Sequence, residues 1–214
     1  MKSLPRYIQL SFFILILQSS FSLLQAEEIN LSINEEQADE AIKNFVLLHN
    51  EWSSTLEGKP EIRSLLFNFL VNYQAFYSRL EIEESAEQPN SDRIRLLKKS
   101  KESLIKNVLN QGPEIAPYLL KELITTYQLF AETKRDTKEL SFEANIVISA
   151  AVRARFEALR SCLMQIGEPA LKPIADLSSR AINKNLEVFS DELKKLSKEI
   201  ESEMAKKSTN TKSK

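Results

Sequence analysis

Residues 112–119 read Gly112-Pro113-Glu114-Ile115-Ala116-Pro117-Tyr118-Leu119, a glycine and a proline at the start of an amphipathic segment. Related copies read Gly58-Lys59-Pro60-Glu61-Ile62 and Gly167-Glu168-Pro169-Ala170-Leu171. Glycine can end a helix in the left-handed conformation, and proline is favoured in the first turn of the next helix. Each copy follows a long helical pattern, and the prolines at 60, 113 and 169 lie 53 and 56 residues apart. This spacing predicts an all-α fold of three irregular helical hairpins stacked as a short α-solenoid, followed by a C-terminal helix.

The second and third copies carry a further proline, Pro117 and Pro173, four residues after the first. A glycine before a helix of the pattern apolar-x-Pro-apolar resembles the turn and second helix of HEAT-type repeats. The resemblance covers about residues 91–181 and, more weakly, 34–80, where Ser64 stands in place of the second proline. It implies a scaffold that binds other proteins, because families of this architecture mostly do so.

Local signals predict where several helices begin and end. Asn34 is a good N-cap for the first helix, and Gly58 is expected to end it. Ser91 or Asp92 is expected to cap the third helix, and the fifth helix is expected to cover about residues 141–165. The large apolar side chains of residues 60–80 predict that the second helix is the most buried element.

The C-terminal part contains a narrow apolar seam on one helix face, formed by Leu186, Phe189, Leu193, Leu196 and Ile200. A seam of this kind can pair with a second copy or a partner helix, or it can dock back onto the preceding helices as a cap. Residues 206–214 are rich in Lys, Ser and Thr and contain no apolar side chain, which predicts a disordered tail. The helical domain is therefore predicted to cover residues 27–205.

The first 26 residues have the features of a secretory signal peptide. Lys2 and Arg6 precede a short apolar segment, and Ala26 precedes two glutamates. Cleavage is predicted after Ala26, with Ser22 as a second candidate, and a retained signal anchor is the alternative. We expect an exported protein, periplasmic or secreted. The signal and the single cysteine, Cys162, favour a bacterial periplasm.

The composition excludes several kinds of function. The formal net charge is −1, which gives no support to nucleic-acid binding. Only three glycines occur, so no glycine-rich phosphate loop is present. His49 is the only histidine, and with Cys162 it is too little for an ordinary zinc site. We interpret both as packing residues and predict no cofactor; an enzyme of unknown type is the least favoured alternative.

The residues predicted to bind a partner are Arg153, Arg155, Arg160 and Trp52. Arg153 and Arg160 are seven residues apart and share one helix face. They either form a basic strip for an acidic partner or belong to an ordinary salt-bridged surface. The sequence thus predicts an exported, non-catalytic helical scaffold that binds a protein or peptide. The alternative is an assembly protein that forms homo-oligomers through residues 186–200.

Overall fold

A computed structural model describes residues 33–212, and every regular element in this range is helical. The seven α-helices of this range are α1 (Glu35–Ser54), α2 (Pro60–Glu84), α3 (Ser91–Leu109), α4 (Ala116–Arg135), α5 (Phe142–Ile166), α6 (Glu168–Asn183) and α7 (Glu187–Lys212). Short 3₁₀ turns, Pro113–Ile115 and Asp136–Lys138, flank α4. The predicted all-α class is confirmed. The predicted signal peptide, residues 1–26, lies outside the described residues.

Side-chain caps fix the first residues of three helices. The side chains of Asn34 and Ser141 each accept a hydrogen bond from the backbone N–H three residues further on, at 2.9 and 3.2 Å. The cap predicted for α3 was wrong, since Asn90 takes this role instead of Ser91 or Asp92. Asn90 has the extended backbone of an N-cap, which places the next two residues inside the first turn.

The three repeated glycines do not have the same conformation. Gly112 and Gly167 have φ angles of 85° and 73°, in the left-handed half of conformational space that favours glycine. Gly58 has no such angle, and α1 ends at Ser54, before it. The predicted end of α1 at Gly58 was therefore wrong. Residues 55–59 form a longer connection that turns the chain without a left-handed residue.

Helices joined by a glycine turn are not the main packing partners. The closest pairs among the described helices are α1 with α4, α2 with α3, α4 with α5, and α6 with α7. Gly167 is the only residue between α5 and α6, too short a link to place two helix axes side by side at about 8–10 Å. The longer polar connections at 85–90 and 136–141 close the antiparallel pairs instead. The hairpins therefore differ from the predicted ones, and the resemblance to HEAT-type repeats stays a prediction.

Helix α4 lies at the centre of the core, in contact with α1, α5 and α6. The rings of Phe45, Tyr127 and Phe189 meet there, with Phe189 5.5 Å from Phe45 and 4.5 Å from Tyr127. The prediction that α2 is the most buried helix was wrong. Its main neighbours are α3 and α5 only, and Phe67 and Val71 stay exposed on its free side.

The apolar seam of α7 is buried within the chain's own core. Its five side chains are between 0 and 5 % exposed, and α7 packs mainly on α6. The seam therefore docks back as a cap, which leaves no seam surface for a second copy. The helix continues to Lys212, although disorder was predicted from residue 206. Extending an existing helix costs little, and Lys206 also pairs with Glu203 at 2.7 Å.

Candidate functional site

The three arginines of α5 that were predicted to bind a partner form ion pairs with different neighbouring helices. The guanidinium of Arg153 lies 3.9 Å from the carboxylate of Glu81 on α2, and both side chains are mostly buried. Arg155 lies 3.2 Å from the carboxylate of Glu122 on α4 and also donates to the hydroxyl of Thr126. Burial lowers the pKa of Arg155, and the charge of Glu122 opposes that effect. These two arginines therefore tie α5 to its neighbours.

Arg160 is the most exposed of the three arginines and pairs with Glu199 on α7. Each arginine thus has a carboxylate partner, and each partner comes from a different helix. The structure does not bring Arg153 and Arg160 together as one unpaired basic strip. It shows the salt-bridged alternative, with partners on neighbouring helices in place of residues on α5 itself.

Glu157 occupies the centre of a polar cluster that was not predicted from the sequence. Its Oε1 accepts hydrogen bonds from the Tyr73 hydroxyl and from Lys101 Nζ, both at 2.6 Å. The Lys101 ammonium also lies 5.0 and 4.9 Å from the ring centroids of Tyr73 and Tyr77. Tyr73 and Tyr77 belong to α2, Lys101 to α3 and Glu157 to α5, so the cluster joins three helices. The i, i+4 spacing of the tyrosines is its only sign in the sequence.

Both tyrosine hydroxyls of this cluster stay protonated at neutral pH. Burial raises the pKa of Tyr73 above its usual value, and the hydrogen bond to Glu157 raises it further. Burial likewise raises the pKa of Tyr77, with a second contribution from the charge of Glu81. A protonated phenol and an ammonium that share one carboxylate form a charge-compensated contact. The cluster therefore acts as a clamp between helices.

Trp52 lies in the core and is only 5 % exposed. Its indole Nε1 donates to the backbone carbonyl of Pro117 at 2.8 Å, which joins α1 to the start of α4. The Arg180 guanidinium covers the ring at 5.5 Å, and Glu51 binds both Arg180 and Lys184. Trp52 therefore connects helices inside the fold, and its ring is not presented on the surface.

His49 and Cys162 have the surroundings of packing residues. The Cys162 thiol is fully buried, and burial raises its pKa to about 12, so the thiolate is disfavoured. His49 is half-buried on α1, and burial lowers its pKa below the usual value. Neither side chain therefore has the surroundings of an activated nucleophile.

The first half of α5 is apolar without being buried. Residues 142–151 contain one charged side chain, Glu143, and none of the ten is buried. Phe142 is 67 % exposed and Ile146 is 37 % exposed, one helical turn further on. The first buried residue of the helix is Val152. Residues 142–151 therefore form an exposed apolar surface on one helix, and we call it the α5 apolar segment.

Residues 33–212 also lack a metal-binding cluster and a helix able to span a membrane. Residues 33–212 contain no group of three or more His, Cys, Asp or Glu side chains placed to hold a metal ion. None of the helices in that range is both long and apolar enough to cross a membrane. No protein-family model matches the sequence, and the searches of curated proteins and of solved structures found no significant match.

Proposed function

We propose that the protein is an exported, non-catalytic helical scaffold that binds a protein or peptide partner through the α5 apolar segment. The main observation in support is that none of residues 142–151 is buried, although seven of them are apolar. Apolar surface gains about 25 cal/mol for each Å² removed from water. A partner with an apolar face of its own would cover this segment favourably.

The second half of α5 supports this proposal by holding the helix in place. Arg153, Arg155 and Arg160 are paired with carboxylates of three neighbouring helices, so their charges are not needed for partner binding. A surface on a rigid helix loses little conformational entropy when a partner binds. The arginines thus serve the interaction indirectly, by presenting the apolar segment in a fixed position.

Export is the second part of the proposal and rests on the first 26 residues. Their charged start, short apolar segment and small residue before Glu27 are typical of a signal peptide. A bacterial periplasm is the favoured location. The test is the N-terminal sequence of protein recovered from the producing cells, which is expected to begin at Glu27; protein that begins at Met1 would contradict cleavage.

Partner binding can be tested with two matched pairs of substitutions. Phe142→Asp with Ile146→Asp places two charges on the α5 apolar segment. Phe67→Asp with Val71→Asp does the same on α2, with the same i, i+4 spacing and the same 67 % exposure of the phenylalanine. Each variant is used to capture partners from an extract of the protein's own compartment, and light scattering gives the stoichiometry of the complex.

We expect the α5 pair to lose the captured partner and the α2 pair to keep it. Circular dichroism should show the same helix content in both variants, because none of the four residues is buried. Loss of the partner in the α2 pair alone would transfer the binding surface to α2. No partner for the unsubstituted protein would contradict the scaffold proposal itself.

A further inference from the structure

A cavity of about 360 Å³ lies between the first half of α1 and the turn that joins α6 to α7. This volume falls within the range of small-molecule sites. Its rim and walls include Ile33, Glu40, Asn44, Asn185, Glu187 and Val188. It is remote in sequence from the α5 apolar segment and takes no residue from it.

Buried aromatic side chains line part of the cavity. Phe45 and Phe189 lie directly beneath it, only 0 and 1 % exposed, with their rings in edge-to-face contact at 5.5 Å. Above them Ile33 and Val188 are half-buried and present aliphatic surface. A ligand in this cavity therefore meets a short apolar wall over a floor that is already packed.

The charge of the cavity is entirely negative. Glu40 and Glu187 are exposed at its rim, and neither has an ion-pair partner within residues 33–212. None of the residues that line it is a lysine or an arginine. The nearest basic side chain along the α6–α7 turn, Lys184, is held by Glu51 of α1 at 3.2 Å. Two carboxylates above an apolar wall are complementary to a cation on a short apolar stem.

The turn that forms one wall has a defined conformation. Asn185 has a φ angle of 56°, a left-handed conformation that asparagine tolerates better than most residues. The backbone N–H of Leu186 donates to the carbonyl of Ala181 at 2.9 Å, which closes the turn on the end of α6. The side chain of Leu186 is buried below the turn. The backbone just before Glu187 is therefore held at the end of α6.

From these features we infer that the cavity between α1 and the α6–α7 turn binds a small organic cation, an alkylammonium group on a stem of about four to six carbons. The ammonium group lies between Glu40 and Glu187, and the stem lies against Ile33 and Val188. The side-chain carbonyl oxygens of Asn44 and Gln37 accept hydrogen bonds from the remaining N–H groups of the ammonium. A free amine and the side chain of a lysine both have this chemistry.

Isothermal titration calorimetry of the full chain with n-pentylamine at pH 7 tests this inference. Pentan-1-ol and hexanoate have the same pentyl stem without the positive charge and are the ligand controls. The protein variant is Glu40→Gln with Glu187→Gln, which keeps the shape and removes both charges. Its matched control is Glu61→Gln with Glu102→Gln, two exposed glutamates on α2 and α3 outside the cavity.

We expect pentylamine to bind, the two uncharged or anionic analogues to bind at least about tenfold more weakly, and the cavity variant to lose about fivefold in affinity. The loss is modest because exposed ion pairs are screened by water. Nα-acetyl-lysine methylamide distinguishes a free amine from the side chain of a peptide lysine. If it binds more tightly than pentylamine, the cavity is assigned to a peptide lysine. Equal binding of amine and alcohol, or an unchanged affinity in the cavity variant, would overturn the inference.

Discussion

The two halves of α5 have similar apolar content and opposite surroundings. The second half, residues 152–166, buries six side chains and contains all three arginines of the helix. The first half, residues 142–151, buries none. Whether a segment of this helix is buried therefore depends on the helices that pack against it and not on its own hydrophobicity. The second half is paired with α2, α4 and α7 through its arginines, whereas no side chain of the first half is buried.

Polar partners also differ between the two halves. In the second half each arginine pairs with a carboxylate on one neighbouring helix, and Glu157 binds side chains of α2 and α3, so these residues specify how the helices are arranged. The first half has one charged side chain, Glu143, which is exposed in the first turn of the helix. An exposed apolar surface can accept a partner by apolar contact alone. Four predictions test how far this difference holds.

The largest difference is expected for truncation of one apolar side chain in each half. Leu159→Ala removes a fully buried side chain and should lower the free energy of unfolding by about 2–5 kcal/mol. Ile146→Ala, at a position 37 % exposed, should cost less than about 1 kcal/mol. Urea unfolding followed by circular dichroism measures both. Similar losses in the two variants would mean that the first half is packed after all.

The end of the well-packed half is expected to be sensitive to backbone strain. Gly167 has φ 73° and ψ −133°, so Gly167→Ala should cost about 1–3 kcal/mol. The added Cβ would meet only the Met204 sulfur, at 4.0 Å, so the cost comes from the backbone. Gly58→Ala is the control, expected to change stability by less than about 0.5 kcal/mol. Thermal unfolding compares them, and a neutral Gly167→Ala would argue against the left-handed turn.

Removal of one carboxylate charge in each half should have a smaller effect. Glu157→Gln leaves the Lys101 ammonium, 13 % exposed, without its anion and should cost about 1–2 kcal/mol. Glu143→Gln makes the same chemical change on the exposed half and should be close to neutral. A double-mutant cycle of Glu157→Gln with Tyr73→Phe measures the coupling, which would vanish if the 2.6 Å hydrogen bond did not form in solution.

The smallest expected effect is on the pH dependence of stability above pH 10. It tests the contact between Tyr73 and Glu157 in the second half of α5. Burial raises the pKa values of Tyr73, Tyr77 and Tyr127 above 10 in the folded protein. Above pH 10 the unfolded chain loses phenolic protons that the folded protein keeps, so the free energy of unfolding decreases as pH rises. Tyr73→Phe should reduce this slope by roughly one third, since three tyrosines share it. Urea unfolding at pH 9, 10 and 11 measures the slope, and an unchanged slope would place Tyr73 in contact with water.

Local chemistry made several helix ends predictable from the sequence. Asn34 is a side-chain cap and Gly167 has a left-handed φ angle, so each acts on residues next to it. Helix pairing was not predictable in this way. Periodicity indicates which face is buried but not which helix covers it, and Arg155 finds Glu122 33 residues away in the sequence.

The candidate site was harder to predict for the same reason. The arginines and Trp52 are residue types common at interfaces, and only their spatial neighbours show that they are already paired or buried. The exposed first half of α5 looks in sequence like any apolar helix segment. Its exposure depends on how the other helices pack, which no residue within 142–151 indicates.

The packing of α1 on α4 has a consequence for how the chain folds as it is made. Trp52 on α1 contacts Pro117, 65 residues later in the chain. A polypeptide that emerges from its N-terminus first exposes the apolar face of α1, with Phe45 and Leu48, until α4 has been synthesised. The nascent chain therefore carries, for that interval, a bare apolar helix of the kind that chaperones bind, and α1 cannot complete its packing until α4 is available.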